Sequence, residues 1–296
     1  MESHKEQQIQ NQATNFYLNC DICRKTFKTK MEILQHRQVC FRGIKLGNKR
    51  GQNNCYVNVC INSLASVSKI TDTIMTSPLH NSEITDIFKK VILTKGPHNV
   101  RDLKTIVDCD KFDNNLQHDA CEFLELLLGK LIDSLPYFSS TFSFTFDTIK
   151  KCKSGHYKPT IYGSSERILR LPVVSNNTNI QSLLKEYFQP QLLDETCNVE
   201  RKSHMLKTEK IQQPPIVLFI QLLRFDYLLN KNENDVSPST MISFCNKTYR
   251  LQAIIEHHGN TTHVGHYKTV MYLNNTCVVY DDDKIFENNQ PDNSTG

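Results

Sequence analysis

Apolar positions along the chain change their spacing near residue 142, from a helical repeat to strict alternation. Before that point, Val57, Val59, Ile61, Leu64 and Val67 follow a polar loop at residues 47–54, and together they predict a helix that begins at or beside Cys55. Ile84, Ile87, Phe88, Val91 and Ile92 form a second stripe, while residues 68–116 as a whole read as mixed helix and loop. Residues 116–135 predict a further helix: Phe123, Leu124, Leu127, Leu128 and Leu131 crowd one side, and Asp113 or Asn114 stands ready to cap its start. Beyond the change, Phe142, Phe144 and Phe146 alternate with Ser143, Thr145 and Asp147. Ile168 to Val173, Leu251 to Ile255, Tyr267 to Tyr272 and Cys277 to Tyr280 repeat the strand signal, with a small helix at residues 179–188 and a polar surface loop at 231–240. A helical part followed by a strand-rich part is the α+β class.

Composition changes this picture little. Of 296 residues, 39% are apolar and 22% charged, the balance of a globular domain with a sizeable core. The net charge of +4 comes from 35 basic and 31 acidic residues interspersed along the chain, which gives no argument for nucleic acid. Residues 1–15 are polar and rich in Gln and Asn, and are expected to be disordered, as is the tail at 291–296; neither reads as a signal peptide. The longest apolar runs are strand-sized, so no membrane partner is expected, and the chain reads as intracellular, in cytoplasm, nucleus or both. Eleven cysteines form an odd, scattered set, which suits a reducing compartment and metal or catalytic use better than a disulfide framework.

The first cysteines carry metal-ligand spacing. Cys20-x2-Cys23-x12-His36-x3-Cys40, with Phe27 and Ile33 at apolar positions between, predicts a small ββα zinc finger at residues 16–40. So short a segment cannot bury a core of its own, so Zn2+ would supply most of its folding free energy. Its partner is open: ubiquitin or another protein is favoured over nucleic acid, because one finger reads only about three base pairs.

Cys55 has the setting of a nucleophile. A thiol at a helix start faces unpaired N–H groups and the positive end of the helix dipole, both of which favour the thiolate. The alternative is a small buried cysteine, which is the commoner fate of the residue. A nucleophile needs a base and a group to orient it, and His266 and Asp281 answer both needs. His266 follows Gly265 at the head of a strand, and Asp281 ends the next one, 15 residues later, where an antiparallel pair can bring them side by side.

At these residues the chain resembles the ubiquitin-specific proteases, papain-like cysteine peptidases that remove ubiquitin from proteins. Residues 47–64 are similar to the family's cysteine box, and Gln117-His118-Asp119-Ala120-Cys121-Glu122-Phe123 to its Gln-Gln-Asp-Ala-x-Glu-Phe pattern. Pro215 to Leu218 with Leu223-Arg224-Phe225, and then His257-x-Gly259, Gly265-His266-Tyr267 and Tyr280-Asp281-Asp282, complete four blocks in the family's order. The resemblance implies a papain-like fold over residues 41–290, with a helical half and an antiparallel β-rich half preceded by the finger. It also implies a Cys55-His266-Asp281 triad that hydrolyses the bond at the C-terminal glycine of ubiquitin, with ubiquitin or ubiquitinated proteins as partners and no cofactor for catalysis. Gln117, Asp119 and Tyr267 would line the path of the ubiquitin tail.

Two departures from the family stand out. Its oxyanion asparagine, five residues before the nucleophile, is replaced by Arg50, and its glycine three residues before by Gln52. The Gln52 or Asn53 amide is the favoured substitute donor, followed by the Cys55 N–H, with Arg50 turned to solvent; Asp282 either supports polar contacts there or is a turn residue. Similar proteins also often hold a zinc ion between two Cys-x2-Cys pairs at the tips of hairpins, whereas here Gly155 and Glu200 stand where the second cysteines would be. Cys152, Cys197, His156 and His204 therefore read as unrelated residues on short hairpins. The rival to an enzyme is a binding protein, either a ubiquitin scaffold whose protease centre has decayed or a zinc-finger adaptor.

Overall fold

A computed structural model describes residues 18–19, 26–29, 31–32, 44–78, 82–93, 98–158, 161–201, 203–226, 228, 230–261, 264–273 and 276–288. The zinc-ligand candidates Cys20, Cys23, His36 and Cys40 and the terminal stretches 1–15 and 291–296 lie outside them. The chain divides into two units, Met1–Arg42 and Gly43–Gly296. In the first, Leu18–Asn19 (β1) pairs antiparallel with Thr26–Phe27 (β2). Thr29 Oγ1 then accepts from the Glu32 N–H while the Glu32 carboxylate accepts from the Thr29 N–H, a capping box that opens a helical turn.

The second unit is built around Cys55–Ala65 (α1), whose eleven residues are all buried. Its apolar positions run round the whole helix, so it needs cover on every side. Ser68–Thr76 (α2), Glu83–Leu93 (α3), Arg101–Phe112 (α4) and Ala120–Ser134 (α5) gather on the helical side, where α1 packs against α2 and α5. Tyr56, fully buried, fixes the contact by meeting Phe112, His118 and Phe123 with ring centroids 5.3 to 5.8 Å apart. The polar residues of α1 act as register pins: Asn62 Oδ1 accepts from the Ile44 N–H at 2.8 Å, and Cys60 Sγ donates to the Ala120 carbonyl at 3.2 Å. The expected cap of α5 is corrected. Asp119, not Asp113 or Asn114, is the N-cap, accepting from the Glu122 N–H at 2.8 Å, because residues 116–118 stay outside the helix and reach toward the strands.

After the short helix Phe138–Phe142 (α6) the chain turns to strands. Phe144–Cys152 (β3), Ile161–Glu166 (β4), Ile168–Pro172 (β5), Thr178–Asn179 (β6), Gln191–Thr196 (β7), His204–Ile211 (β8) and Phe219–Leu223 (β9) follow, with Ile180–Tyr187 (α7) capped by Asn179. The hairpins are longer than expected: β3 and β8 pair over seven positions inside a sheet of order β4-β3-β8-β7. The stretch 231–240 is also more than a surface loop, since Val236–Ser237 (β10) pairs with β6 and Val236 is buried in a core with Phe144, Leu171, Leu184 and Ile211. Met241–Phe244 (β11) and Lys247–Arg250 (β12) make a hairpin. Ala253–His258 (β13), His266–Leu273 (β14), Thr276–Asp281 (β15) and Lys284–Asn288 (β16) form an antiparallel meander, with α1 lying against its first three strands.

Candidate active site

The loop before α1 brings Cys55 to the helix start by a specific backbone path. Gly51 has φ 85° and Asn53 φ 50°, left-handed values that glycine and asparagine tolerate best. Asn54 occupies the cap position, and its own N–H donates to Asn48 Oδ1 at 2.8 Å. Cys55 is then the first helical residue, buried with 4% of its surface exposed.

His266 opens β14 and Asp281 closes β15, as the antiparallel argument requires, and His266 Nε2 lies 2.6 Å from Asp281 Oδ1. With Nε2 bonded to the acid, Nδ1 is the ring nitrogen left for the sulfur. Cys55 is the main cause that raises the His266 pKa to about 9; the Asp281 carboxylate adds to it, against the opposing effect of burial. Burial works to raise the Asp281 carboxyl in turn, but bonds from His266 and Lys268 outweigh it and hold it low. Lys268, two residues beyond His266 on the same strand face, reaches Asp281 Oδ2 at 3.0 Å. Sequence reasoning missed this lysine, although the period of two that placed His266 beside the acid placed Lys268 there also.

The remaining candidates divide. Gln117 Oε1 accepts from the Gly265 N–H at 2.9 Å, so it holds the residue before His266. The Tyr267 hydroxyl is 3.5 Å from the Ala120 N–H at the head of α5, and the His257 ring packs on Tyr267 at 4.6 Å. A side chain at Gly265 would strike His257, since its Cβ would fall 2.1 Å from Nε2; this is why glycine precedes His266. Asp119 is exposed, its carboxylate engaged at the head of α5. Asn53 donates its amide to the Asn115 carbonyl at 2.8 Å and so ties the loop to the turn before α5. Gln52 uses Oε1 on the Lys49 N–H at 2.8 Å, which leaves its NH2 end free to turn elsewhere, and Arg50 is exposed.

Asp282 is both a turn residue, with φ 56°, and the centre of a network. Its Oδ2 accepts from Asn48 Nδ2 at 2.8 Å and its Oδ1 from Asn58 Nδ2 at 2.7 Å. Asn48 therefore links Asp282 to the N–H of Asn54, next to the thiol. Neither Asn48 nor Asn58 was singled out from the sequence, though an asparagine inside the apolar run 57–61 was a signal, because a buried amide must find partners. The donor atoms of His266, Asp281 and Asp282 also lie within 4.8 Å of one another, but both carboxylates already have partners and Lys268 places a cation there.

Residues 46–295 match the family model described as ubiquitin carboxyl-terminal hydrolase. The chain belongs to that family. It is 27% identical over 148 residues to ubiquitin carboxyl-terminal hydrolase 46 of Caenorhabditis elegans, covering 43% of this chain and 34% of that protein. With probable ubiquitin carboxyl-terminal hydrolase 9 of Schizosaccharomyces pombe it shares 24% over 213 residues, covering 60% and 36%. The chain thus spans about a third of the length of these curated relatives. Its fold is similar to that of a chain in structures of the SAGA Ubp8/Sgf11/Sus1/Sgf73 DUB module. One structure of that module, bound to ubiquitin aldehyde, aligns with a TM-score of 0.69 at 15% identity over 83% of this chain and 65% of the other. Another, bound to monoubiquitin, aligns at 0.71 and 17% identity over 91% and 69%. The α+β, papain-like architecture expected from the sequence is the one observed.

The sign of the His266 shift fixes a pH dependence. A raised pKa means that the partners of the imidazolium contribute stability fully below its ordinary value of 6.5, and that this contribution is lost as pH rises through about 9. In Asp281→Asn the His266 resonance followed by NMR should titrate at clearly lower pH than in the wild type, and the alkaline loss of stability should begin earlier. An unchanged titration near 9 would show that the carboxylate does not act on the ring.

Proposed function

We propose that the chain is a thiol-dependent hydrolase that cleaves the peptide or isopeptide bond at the C-terminal glycine of ubiquitin. The observation that carries this reading is the convergence of Cys55, at the head of a buried helix, with a His266 ring held by Asp281 and favoured in its protonated form, in a chain of this family. In this reading the thiolate of Cys55 attacks the glycine carbonyl and forms a tetrahedral oxyanion. The His266 imidazolium gives its proton to the departing amine as the C–N bond breaks, leaving a thioester. Water, deprotonated by the now neutral ring, then hydrolyses the thioester and restores the thiol. Asp281 keeps the ring oriented through Nε2, and Lys268 keeps Asp281 ionised.

Ubiquitin as the partner rests on the family and on the ubiquitin-bound state of the structurally similar modules. The helix-start N–H of Cys55 and the NH2 of Gln52 are assigned as the oxyanion donors; Asn53, whose amide is bound to Asn115, shapes the loop instead. Gln117 and Tyr267 bridge α5 and β14, and with Asp119 they border the path of the substrate tail. Cys20, Cys23, His36 and Cys40 are assigned to a structural zinc ion in the N-terminal unit.

A ubiquitin probe with an electrophilic C-terminus should label the wild type covalently and leave Cys55→Ala unlabelled. Binding without labelling of the wild type would instead favour the ubiquitin-binding scaffold. Gln52→Ala should lower kcat at least ~30-fold with little change in ubiquitin affinity, since losing one oxyanion donor typically lowers the rate about a hundred- to a thousand-fold. Arg50→Ala should matter less; a larger effect from Arg50 would move the oxyanion role to its guanidinium. Cys20→Ser with Cys23→Ser should remove zinc from the N-terminal unit while leaving hydrolysis of a minimal ubiquitin substrate largely intact, and loss of that turnover would make the unit part of the catalytic domain.

A further inference from the structure

Lys104 lies in α4 between Leu103 and Val107, on the face that packs into the helical half, and is 4% exposed where those two are 1% and 3%. An apolar residue would serve the packing there. Instead an ammonium group stands against two neutral oxygens, Asn54 Oδ1 at 3.3 Å and the Asn114 carbonyl, and lies 5.8 Å from the centre of the Tyr56 ring. Its three N–H donors thus meet two oxygens and an aromatic ring.

Fold stability alone accounts poorly for a charge in this place. A buried ammonium loses its hydration, and only close, well-bonded partners of opposite charge offset that loss. The described residues offer Lys104 no ion pair: Asp113, the acid that acts on it, is bonded by Arg101 Nε at 3.0 Å and Nη2 at 3.4 Å. Burial lowers the Lys104 pKa from its ordinary 10.5, with Asp113 opposing and Arg101 adding to the effect. The head of α1 is also the unfavourable end of a helix for a cation, because the unpaired N–H groups there are positive. What the charge provides is firm bonding, since charge-assisted hydrogen bonds are stronger than neutral ones.

Those bonds lead to both parts of the site. Asn54 comes directly before Cys55, and its carbonyl accepts from the N–H groups of Val57 and Asn58 at 3.0 Å, so its place fixes the first turn of α1. Asn114 organises the turn before α5. Its Oδ1 accepts from the Leu116 N–H at 2.9 Å and lies 2.9 Å from His118 Nε2, and its Nδ2 donates to the Lys111 carbonyl at 2.7 Å. The same turn carries Gln117, which holds the Gly265 N–H next to His266. Asn53 joins the two segments at the surface; Lys104 joins them in the interior.

We propose that Lys104 is a positioning residue for the hydrolysis: its ammonium ties the cap of α1, at Asn54, to the turn before α5, at Asn114, and so sets the Cys55 thiol relative to His266. This rests on the reading of Cys55 as the nucleophile and His266 as its partner. Lys104 touches none of the reacting atoms and acts through Asn54.

The test uses the full chain and two readouts. Lys104→Met keeps the length of the side chain without its donors or its charge. Alkylation of Cys55 by iodoacetamide, followed at that residue by mass spectrometry, needs no ubiquitin and should slow at least ~fivefold in the variant. Hydrolysis of a minimal ubiquitin substrate should lose at least about tenfold in kcat per folded molecule, with KM changed less than about threefold. Asn54→Ala should slow both readouts, and the double variant Lys104→Met/Asn54→Ala should be about as slow as the slower single one, because the lysine acts through the amide. If Lys104→Met does not fold, Lys104→Gln, which is neutral and shorter, takes its place in the same measurements. Wild-type alkylation and kcat in the lysine variant would overturn the proposal, as would losses that multiply in the double variant. A wild type that is alkylated at Cys55 but hydrolyses no ubiquitin substrate would overturn the proposed function instead, and the alkylation rates would still decide the role of Lys104.

Discussion

The Asp282 carboxylate, held between the amides of Asn48 and Asn58, is the contact on which the arrangement of the site depends. One amide belongs to the loop before α1 and the other to the first turn of α1, while Asp282 sits in the turn between β15 and β16. Asn58 is 1% exposed, so loss of its partner would leave a buried donor without a bond, a penalty of about 1–3 kcal/mol. The network fixes the helix start, and therefore Cys55, relative to the neighbour of Asp281. Oily packing of α1 against the meander could tolerate a small slide along the helix axis; paired amide and carboxylate groups cannot.

Charge is layered outward from the sulfur in alternating sign. The His266 ring is cationic up to about pH 9, Asp281 beyond it is held anionic, and Lys268 neutralises the acid from its far side. Each group is stabilised by the one behind it, so no unpaired charge is left in a half-buried site. The same strand supplies ring and lysine at positions two apart, which makes the alternation of β14 the direct cause of this layering. On the helical side, Gln117 and Tyr267 join the head of α5 to the head of β14, so the two halves meet through polar contacts of known register.

Polar side chains in the loops do the anchoring around these elements. Arg50 leaves the site for solvent, and Asn48, two residues earlier, provides the amide that anchors the loop. At the hairpin ends, Gly155 and Glu200 sit in two tight turns, and the His156 ring lies 3.3 Å from Cys152 Sγ and 3.8 Å from Cys197 Sγ.

The sequence by itself determined the elements whose signal is local. The apolar period of α1 and α5, the alternation through β3, β14 and β15, and the pairing of His266 with Asp281 all follow from side-chain spacing and from the geometry of adjacent strands. Only the tertiary structure decided the α5 cap at Asp119, the length of the β3–β8 pairing, the burial of Val236, the tie of Asn53 to Asn115, and the meetings of Asp282 with Asn48 and of His156 with Cys197. These depend on residues brought together from distant parts of the chain, between 41 and 234 positions apart for the last two. A polar side chain carries no mark of its eventual partner, because amides, carboxylates and thiols bond to whatever the packing of the apolar elements sets before them.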